Sequence, residues 1–251
     1  MPGGGARART RFLSIVQRTI LDNPNTRSDL CRRDLFEVSV FLFLIVPSII
    51  ISFFALGSEG MSFPVTAFSL IFRDIALTSL IVFFLWRNGE PLTLIGWHFN
   101  GLLKDAAIGA GLSVPVMTGI PLMEKAFQHL GLSSNISQLP QFLSAKGSLQ
   151  ILLAGLLVIV VAVTEETIFR GYLMLRFNAL TTSLASSVII TSGIFSLAHG
   201  YEGAASVGTI GVLGIILTLI YIWRKSLIAP MVIHFFIDFF PLVLMPLLNA
   251  K

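Results

Sequence analysis

Long apolar runs alternate with short polar segments along this chain, and the runs have the length of membrane-crossing helices. About 20 apolar residues in helical form cross the hydrocarbon core of a bilayer. The pattern predicts helical spans at 35–57, 62–86, 106–123, 148–176, 182–199, 204–223 and 227–247. Because a helix satisfies its own backbone hydrogen bonds in lipid, we expect an all-α fold, a multi-pass transmembrane helical bundle of about seven or eight helices.

Charge divides the chain into three parts. We expect a basic N-terminal arm at 1–34, transmembrane helices and loops at 35–147, and a polar transmembrane core at 148–247. The arginines of the arm are Arg7, Arg9, Arg11, Arg18, Arg27, Arg32 and Arg33. Basic residues concentrate on the cytoplasmic side of membrane proteins, so the arm predicts a cytoplasmic N-terminus. Its acid-free, arginine-rich beginning is also typical of an organellar targeting segment.

Other basic residues fit the same orientation. With the N-terminus inside, the cytoplasmic segments also contain Arg87, Lys104, Arg170, Arg176, Arg224 and Lys225, and the opposite side contains Lys125, Lys146 and Lys251.

Composition narrows the class of protein. Hydrophobic residues make up 55% of the chain and charged residues 12%, about half the charged share of a soluble domain. We therefore interpret the net charge of +4 as an indication of membrane topology rather than of nucleic-acid binding. The single cysteine, Cys31, excludes an internal disulfide framework and disfavours a cysteine metal site. Its place beside Arg32 and Arg33 would suit acylation, but we interpret it as chance placement.

Ionisable residues interrupt the apolar pattern in the last third of the chain. Glu165 and Glu166 follow the apolar run Ile151–Val163, where unpaired carboxylates would cost several kcal/mol each. Ionisable residues inside a span mark a functional site by default. Three groups stand out: Glu165, Glu166 and Arg170; Phe195 and His199; His234 and Asp238.

Helix geometry predicts how these side chains are arranged. Glu166 and Arg170 are four residues apart and share a helix face, as do His234 and Asp238. Glu165 is rotated by about 100° from Glu166, so it faces another neighbour. A turn and helix cap at 181–183 would bring Glu165 and His199 to the same depth, roughly 25 Å from the turn.

Several chemistries fit this set. A carboxylate beside a histidine can activate a water, and a second polar pair can hold the oxyanion of a tetrahedral intermediate. Glu165, His199, His234 and Asp238 are also plausible zinc ligands. A buried cluster for packing, or a proton relay in a transporter, is the non-catalytic alternative.

Other polar or small residues predict packing rather than chemistry. We expect Arg73 and Asp74, inside the second span, to pair with each other or with the bundle interior rather than to complete a site. His98 and His129 are isolated in loops, and Gly208, Gly211 and Gly214 recur on one helix face, which favours close helix contact.

The three groups resemble the motifs of the CPBP family of intramembrane proteases, also called Abi and named for CAAX and bacteriocin processing. That family shows EExxxR, FxxxH and HxxxN or HxxxD on successive helices. Here the motifs run Glu165–Arg170, Phe195–His199 and His234–Asp238. The family includes the type II CAAX prenyl endopeptidases, which remove the last three residues of prenylated proteins.

The resemblance implies roles for these residues. Glu165 with His199 would activate water, His234 with residue 238 would hold the oxyanion, and Glu166, Arg170 and Phe195 would support them. The prenyl endopeptidases have Asn at the last position, where this chain has Asp238. An ionised Asp cannot donate to an oxyanion, so it would be protonated, orient His234 or bind a metal.

These implications complete the functional prediction. We expect an endopeptidase of a bacterial plasma membrane that acts on a membrane-bound or lipidated peptide, with no nucleic acid partner. We predict no cofactor and a glutamate-dependent mechanism, with a zinc metalloprotease as the open alternative. The competing function is a non-catalytic transporter or immunity factor.

Overall fold

The computed structural model describes residues 24–53, 62–134 and 141–249. In these ranges the α-helices are α1 (Pro24–Ser52), α2 (Phe63–Arg87), α3 (Leu102–His129), α4 (Gly147–Glu166), α5 (Met174–Thr181), α6 (Leu184–Leu197), α7 (Ala204–Arg224), α8 (Ile228–Phe239) and α9 (Met245–Asn249). A π-helical turn, Thr167–Leu173, joins α4 to α5, and another, Phe240–Leu244, joins α8 to α9. Short 3₁₀ turns occupy Leu92–Ile95, Gln141–Leu143 and Gly200–Glu202. The predicted all-α bundle is confirmed.

Within the described residues, six segments are long and apolar enough to cross a membrane: Ser28–Ile51, Phe63–Arg87, Leu102–His129, Gly147–Thr181, Ala204–Arg224 and Ile228–Leu248. The predicted span at 182–199 is an exception. It forms α6, which has 14 residues and a length of about 21 Å, against a hydrocarbon core of about 30 Å. The helix starts late because Ser183 caps it, accepting a hydrogen bond from the Ser186 amide, and it ends before the turn at Gly200–Glu202.

Other boundaries also differ from the prediction. α1 begins at Pro24 rather than near residue 35, as proline favours the first turn of a helix. Part of the predicted basic arm is therefore helical, while residues 1–23 lie outside the described part of the chain, as do residues 54–57 of the first predicted span. α3 runs beyond 106–123 at both ends despite Pro115 and Pro121.

A buried ionic network, which we call the Arg176 cluster, holds α1, the end of α2 and α5 together. It comprises Arg176, Glu37, Glu90, Arg87 and Tyr172. Glu37 receives the Arg176 Nε–H at 3.0 Å, the Tyr172 hydroxyl at 2.6 Å and the Arg87 Nη2–H at 2.9 Å, and Arg176 also binds Glu90. Arg170 and Arg176, predicted as loop charges, are buried in ion pairs, so neither reports on membrane orientation.

Glycine residues allow several helices to approach each other closely. A Cβ at Gly109 of α3 would lie 2.7 Å from the Ala229 carbonyl oxygen and 2.8 Å from Val232 Cβ, both in α8. On α7, a Cβ at Gly208 would lie 3.2 Å from the Phe127 ring, and one at Gly214 would lie 3.0 Å from Ser192. The packing role predicted for the α7 glycines agrees with these distances.

Candidate active site

The site begins where α4 ends. Glu165 and Glu166 are the last two residues of α4, and the π-helical turn Thr167–Leu173 follows directly. Single π turns inside α-helices occur frequently at functional sites. Every residue of this turn is buried, so the two carboxylates lie at the edge of the most enclosed part of the bundle.

Glu166 is a fully buried anchor with two partners. Its Oε1 accepts from Arg170 Nη1 at 2.8 Å and lies 2.8 Å from His234 Nδ1. The Arg170 guanidinium also stacks over the Phe195 ring, 4.2 Å from its centroid. The predicted Glu166–Arg170 pair is therefore present, and the contact from Glu166 to His234 is an addition that single-helix spacing could not predict.

His234 is the centre of the polar groups. With Nδ1 bound to Glu166, its Nε2 lies 3.4 Å from Asp238 Oδ2 and 3.9 Å from Glu165 Oε2. Asp238 stands beside the imidazole as its spacing predicts. The shorter contact to the ring comes from Glu166, at 2.8 Å from Nδ1.

Glu165 faces a different neighbour from Glu166, as its position on the helix predicts. Its Oε1 lies 3.7 Å from Arg73 Nη2, and its buried Oε2 has no hydrogen-bond partner. Arg73 does pair with Asp74 at 2.8 Å, but its contact with Glu165 makes it part of the site as well. The expected pairing of Arg73 with Asp74 is present, and the contact with Glu165 is an addition that arises because α2 packs against α4. The sequence does contain an indication that Arg73 belongs to a site, because Arg73 and Asp74 are the charged residues inside an otherwise apolar span.

His199 enters from the end of α6. The predicted turn is present, with Thr182 at a φ of 54° before the Ser183 cap. The ring centroid of Phe195 lies 5.1 Å from His199 and 6.0 Å from His234. His199 Nδ1 lies 3.0 Å from the Phe195 carbonyl oxygen, which can only accept, so Nδ1 carries a proton and Nε2 of the neutral ring is the basic nitrogen. Within the described residues, no hydrogen bond or ion pair joins His199 to Glu165.

Residues 147–240 match the family model of the type II CAAX prenyl endopeptidase Rce1-like proteins. This stretch, which we call the Rce1-like region, is similar to those proteins and covers less than half of the chain. The match contains all three motifs and confirms the family resemblance that they predict. No curated protein and no solved structure matches the chain. With its apolar helices, the Rce1-like region identifies an integral membrane protein and supports CAAX-type intramembrane protease activity in general.

Two further polar residues of the Rce1-like region, Tyr201 and Glu202, stand two and three positions after His199. Burial raises the pKa of Tyr201 well above its usual value, and so do the charge of Glu202 and the hydrogen bond between Tyr201 and Glu202. Burial likewise raises the pKa of Glu202, against the opposing charge of His199. Tyr201 therefore remains a phenol and a proton donor next to the site. The spacing of the motifs gave no indication of this residue.

The candidate zinc ligands do not form a ligand set in this arrangement. His234 Nδ1 contacts Glu166 and His199 Nδ1 contacts the Phe195 carbonyl oxygen, so Nε2 is the nitrogen of each ring that could bind a metal. Across the described ranges, no three His, Cys, Asp or Glu side chains are grouped so as to hold a metal ion. The residues of the Rce1-like region therefore do not fit a zinc site as they stand, and we derive no step through one.

His98 and His129 lie outside this region and apart from the site. The His98 Nε2 lies 2.6 Å from the Lys225 carbonyl oxygen, and His129 is exposed at the end of α3. Cys31 is also exposed.

Proposed function

We propose that this protein is an intramembrane endopeptidase that hydrolyses a peptide bond in a membrane-bound or lipidated protein, with CAAX-type prenylated proteins as the substrate class. The observation that carries the proposal is the state of Glu165. Its buried Oε2 has no hydrogen-bond partner and lies 3.9 Å from His234 Nε2. A buried carboxylate oxygen without a partner is costly, and a site that binds a water there would relieve that cost.

Each residue has a part in the proposed reaction. Glu165 accepts a proton of the attacking water, His199 Nε2 accepts a hydrogen bond from the same water, and the water oxygen bonds to the scissile carbonyl carbon. The carbonyl oxygen then becomes an oxyanion, which His234 stabilises from Nε2 when its ring is protonated. The carboxylates of Glu166 and Asp238 flank His234 and favour that cationic ring. The proton taken from water passes to the leaving amine when the C–N bond breaks.

Support residues keep this geometry. Arg170 neutralises Glu166, and Glu166 holds Nδ1 of His234 so that Nε2 faces Glu165 and Asp238. Because His234 donates to the oxyanion, Asp238 beside it does not have to donate a proton. Water activated in this way requires no metal ion.

The competing function is a transporter or immunity factor in which the same polar cluster serves packing or proton relay. Hydrolysis separates the two. The full-length protein in lipid vesicles is incubated with a quenched fluorescent peptide ending in a farnesylated CAAX sequence, and with the unprenylated peptide. We expect cleavage that favours the farnesylated peptide. Absence of cleavage of both peptides by the wild type would contradict the proposal.

Glu165→Gln is the decisive variant. We expect a loss of roughly 10²–10⁴-fold in kcat, the usual contribution of a general base, with an unchanged melting temperature. Glu90→Gln is the matched control, because Glu90 is a carboxylate of the Arg176 cluster; it should lose stability and keep its turnover. More than a tenth of wild-type turnover in Glu165→Gln would remove Glu165 from the role of base.

A further inference from the structure

Two adjacent residues of α2 meet two adjacent residues of α4 across the bundle. Arg73 Nη2 lies 3.7 Å from Glu165 Oε1, and the Thr164 hydroxyl donates to Asp74 Oδ2 at 3.2 Å. Within α2, Arg73 Nε and Nη2 both contact Asp74 Oδ1 at 2.8 Å. Asp74 is almost completely buried, so a fixed carboxylate sets the direction of the Arg73 guanidinium.

This arrangement makes the two oxygens of Glu165 unequal. Oε1 faces the Arg73 cation, whereas Oε2 faces His234 Nε2 and has no hydrogen-bond partner. A carboxylate without such a cation could rotate and exchange its oxygens. With the cation on one side, a single oxygen remains directed towards the centre of the site.

We propose that Arg73 is a positioning residue for Glu165 that fixes which carboxylate oxygen receives the proton of the attacking water. The inference rests on the proposed function. Arg73 lies in α2, outside residues 147–240 that match the Rce1-like family model. The N-terminal helices would thus contribute directly to the geometry of the site, beyond covering it.

Two other roles for Arg73 make different predictions. The first is neutralisation of the Asp74 charge. The contacts of Arg73 with Asp74 Oδ1 are enough for that role, and the role does not explain why Arg73 also lies near Glu165. Recognition of a substrate carboxylate is the other role, because 38% of the Arg73 side chain is exposed. That role would affect KM, whereas positioning of Glu165 affects kcat.

The test uses Arg73→Gln and Arg73→Lys in the full-length protein in vesicles, with the farnesylated fluorescent peptide. Arg87→Gln is the matched control. Arg87 is on the same helix, pairs with the buried carboxylate of Glu37 at 2.9 Å and is 40% exposed. We expect Arg73→Gln to lower kcat at least tenfold, on the order of the effect of a misplaced catalytic group, with KM within about twofold.

The two companion variants sharpen this expectation. Arg73→Lys keeps the charge but lacks the planar fork that binds Asp74, so it should restore part of kcat. Arg87→Gln should lower the melting temperature and leave kcat within about twofold, because it acts on the Arg176 cluster.

Four outcomes would overturn the inference. A rise in KM with unchanged kcat would assign Arg73 to substrate recognition, and an equal loss of kcat in Arg87→Gln would indicate a general packing effect. Normal kcat and KM in Arg73→Gln, with an active wild type, would refute the positioning role alone. A wild type that cleaves neither peptide would refute the proposed function and this inference with it.

Discussion

At the scale of single residues, the buried half of the site depends on Arg170. The Arg170 side chain is 1% exposed, and the Glu166 side chain is fully buried. Their 2.8 Å ion pair offsets the energetic cost of a buried carboxylate beside His234. Removing one partner of such a pair leaves an uncompensated buried charge. Arg170 therefore acts on stability first and on chemistry through His234.

We predict that Arg170→Ala destabilises the protein by about 3–5 kcal/mol. The double variant Glu166→Gln with Arg170→Ala should recover part of that loss, because it removes the stranded charge. Thermal unfolding of both variants in the same detergent measures the difference. If the double variant is no more stable than Arg170→Ala, the ion pair does not carry the stability assigned to it.

Spacing on one helix predicted part of this site. Residues four apart meet on a helix face, and Glu166 with Arg170 and His234 with Asp238 do so. Arg73 beside Glu165 and Glu166 beside His234 come from different helices. Contacts of that kind depend on how helices pack, which the periodicity of one segment does not specify.

At the scale of helices, α8 carries His234 and is held against α3 at Gly109. A methyl group there would meet the Ala229 carbonyl oxygen at 2.7 Å, a distance that requires the backbone of α8 to move. The length of α6 is a second property of this scale that hydropathy missed. The apolar run 182–199 was predicted as a span, but the Ser183 cap and the turn after Leu197 shorten its helix to 14 residues.

We predict opposite effects for two alanine substitutions on α3. Gly109→Ala should lower the melting temperature and kcat, because it displaces α8 and with it His234. At Gly111 a Cβ would meet nothing within 4 Å, so Gly111→Ala should raise helix stability by up to about 1 kcal/mol. Thermal unfolding and peptide cleavage are measured on both. Equal behaviour of the two variants would refute the claim that α3 positions α8 through Gly109.

At the scale of the whole molecule, one continuous helical segment, Gly147–Thr181, joins the candidate site to the Arg176 cluster. The catalytic candidates lie around the end of α4, and the Arg176 cluster lies further along, where it ties α1 and α2 to α5. The three motifs lie within residues 147–240, whereas Arg73, which contacts Glu165, belongs to α2. Hydropathy predicted the bundle, because the bilayer sets the length of the spans.

We predict that the complete protein hydrolyses peptide without stoichiometric zinc. In the proposed mechanism Glu165 and His199 activate the water without an ion, and no three candidate ligands are grouped to hold a metal within the described residues. After dialysis against a strong chelator, turnover should be unchanged and elemental analysis should find less than one zinc per chain. Lost turnover that one equivalent of zinc restores would establish a metal-dependent mechanism instead.

The shortness of α6 has a consequence for the supply of water. A helix of about 21 Å that starts at one face of a bilayer ends about 9 Å short of the other side of the hydrocarbon core. Non-helical backbone at such depth must be buried in protein or line a hydrated cavity. The turn that carries His199, Tyr201 and Glu202 would then form the floor of a vestibule, where the aqueous phase reaches down to a site that consumes one water in every turnover.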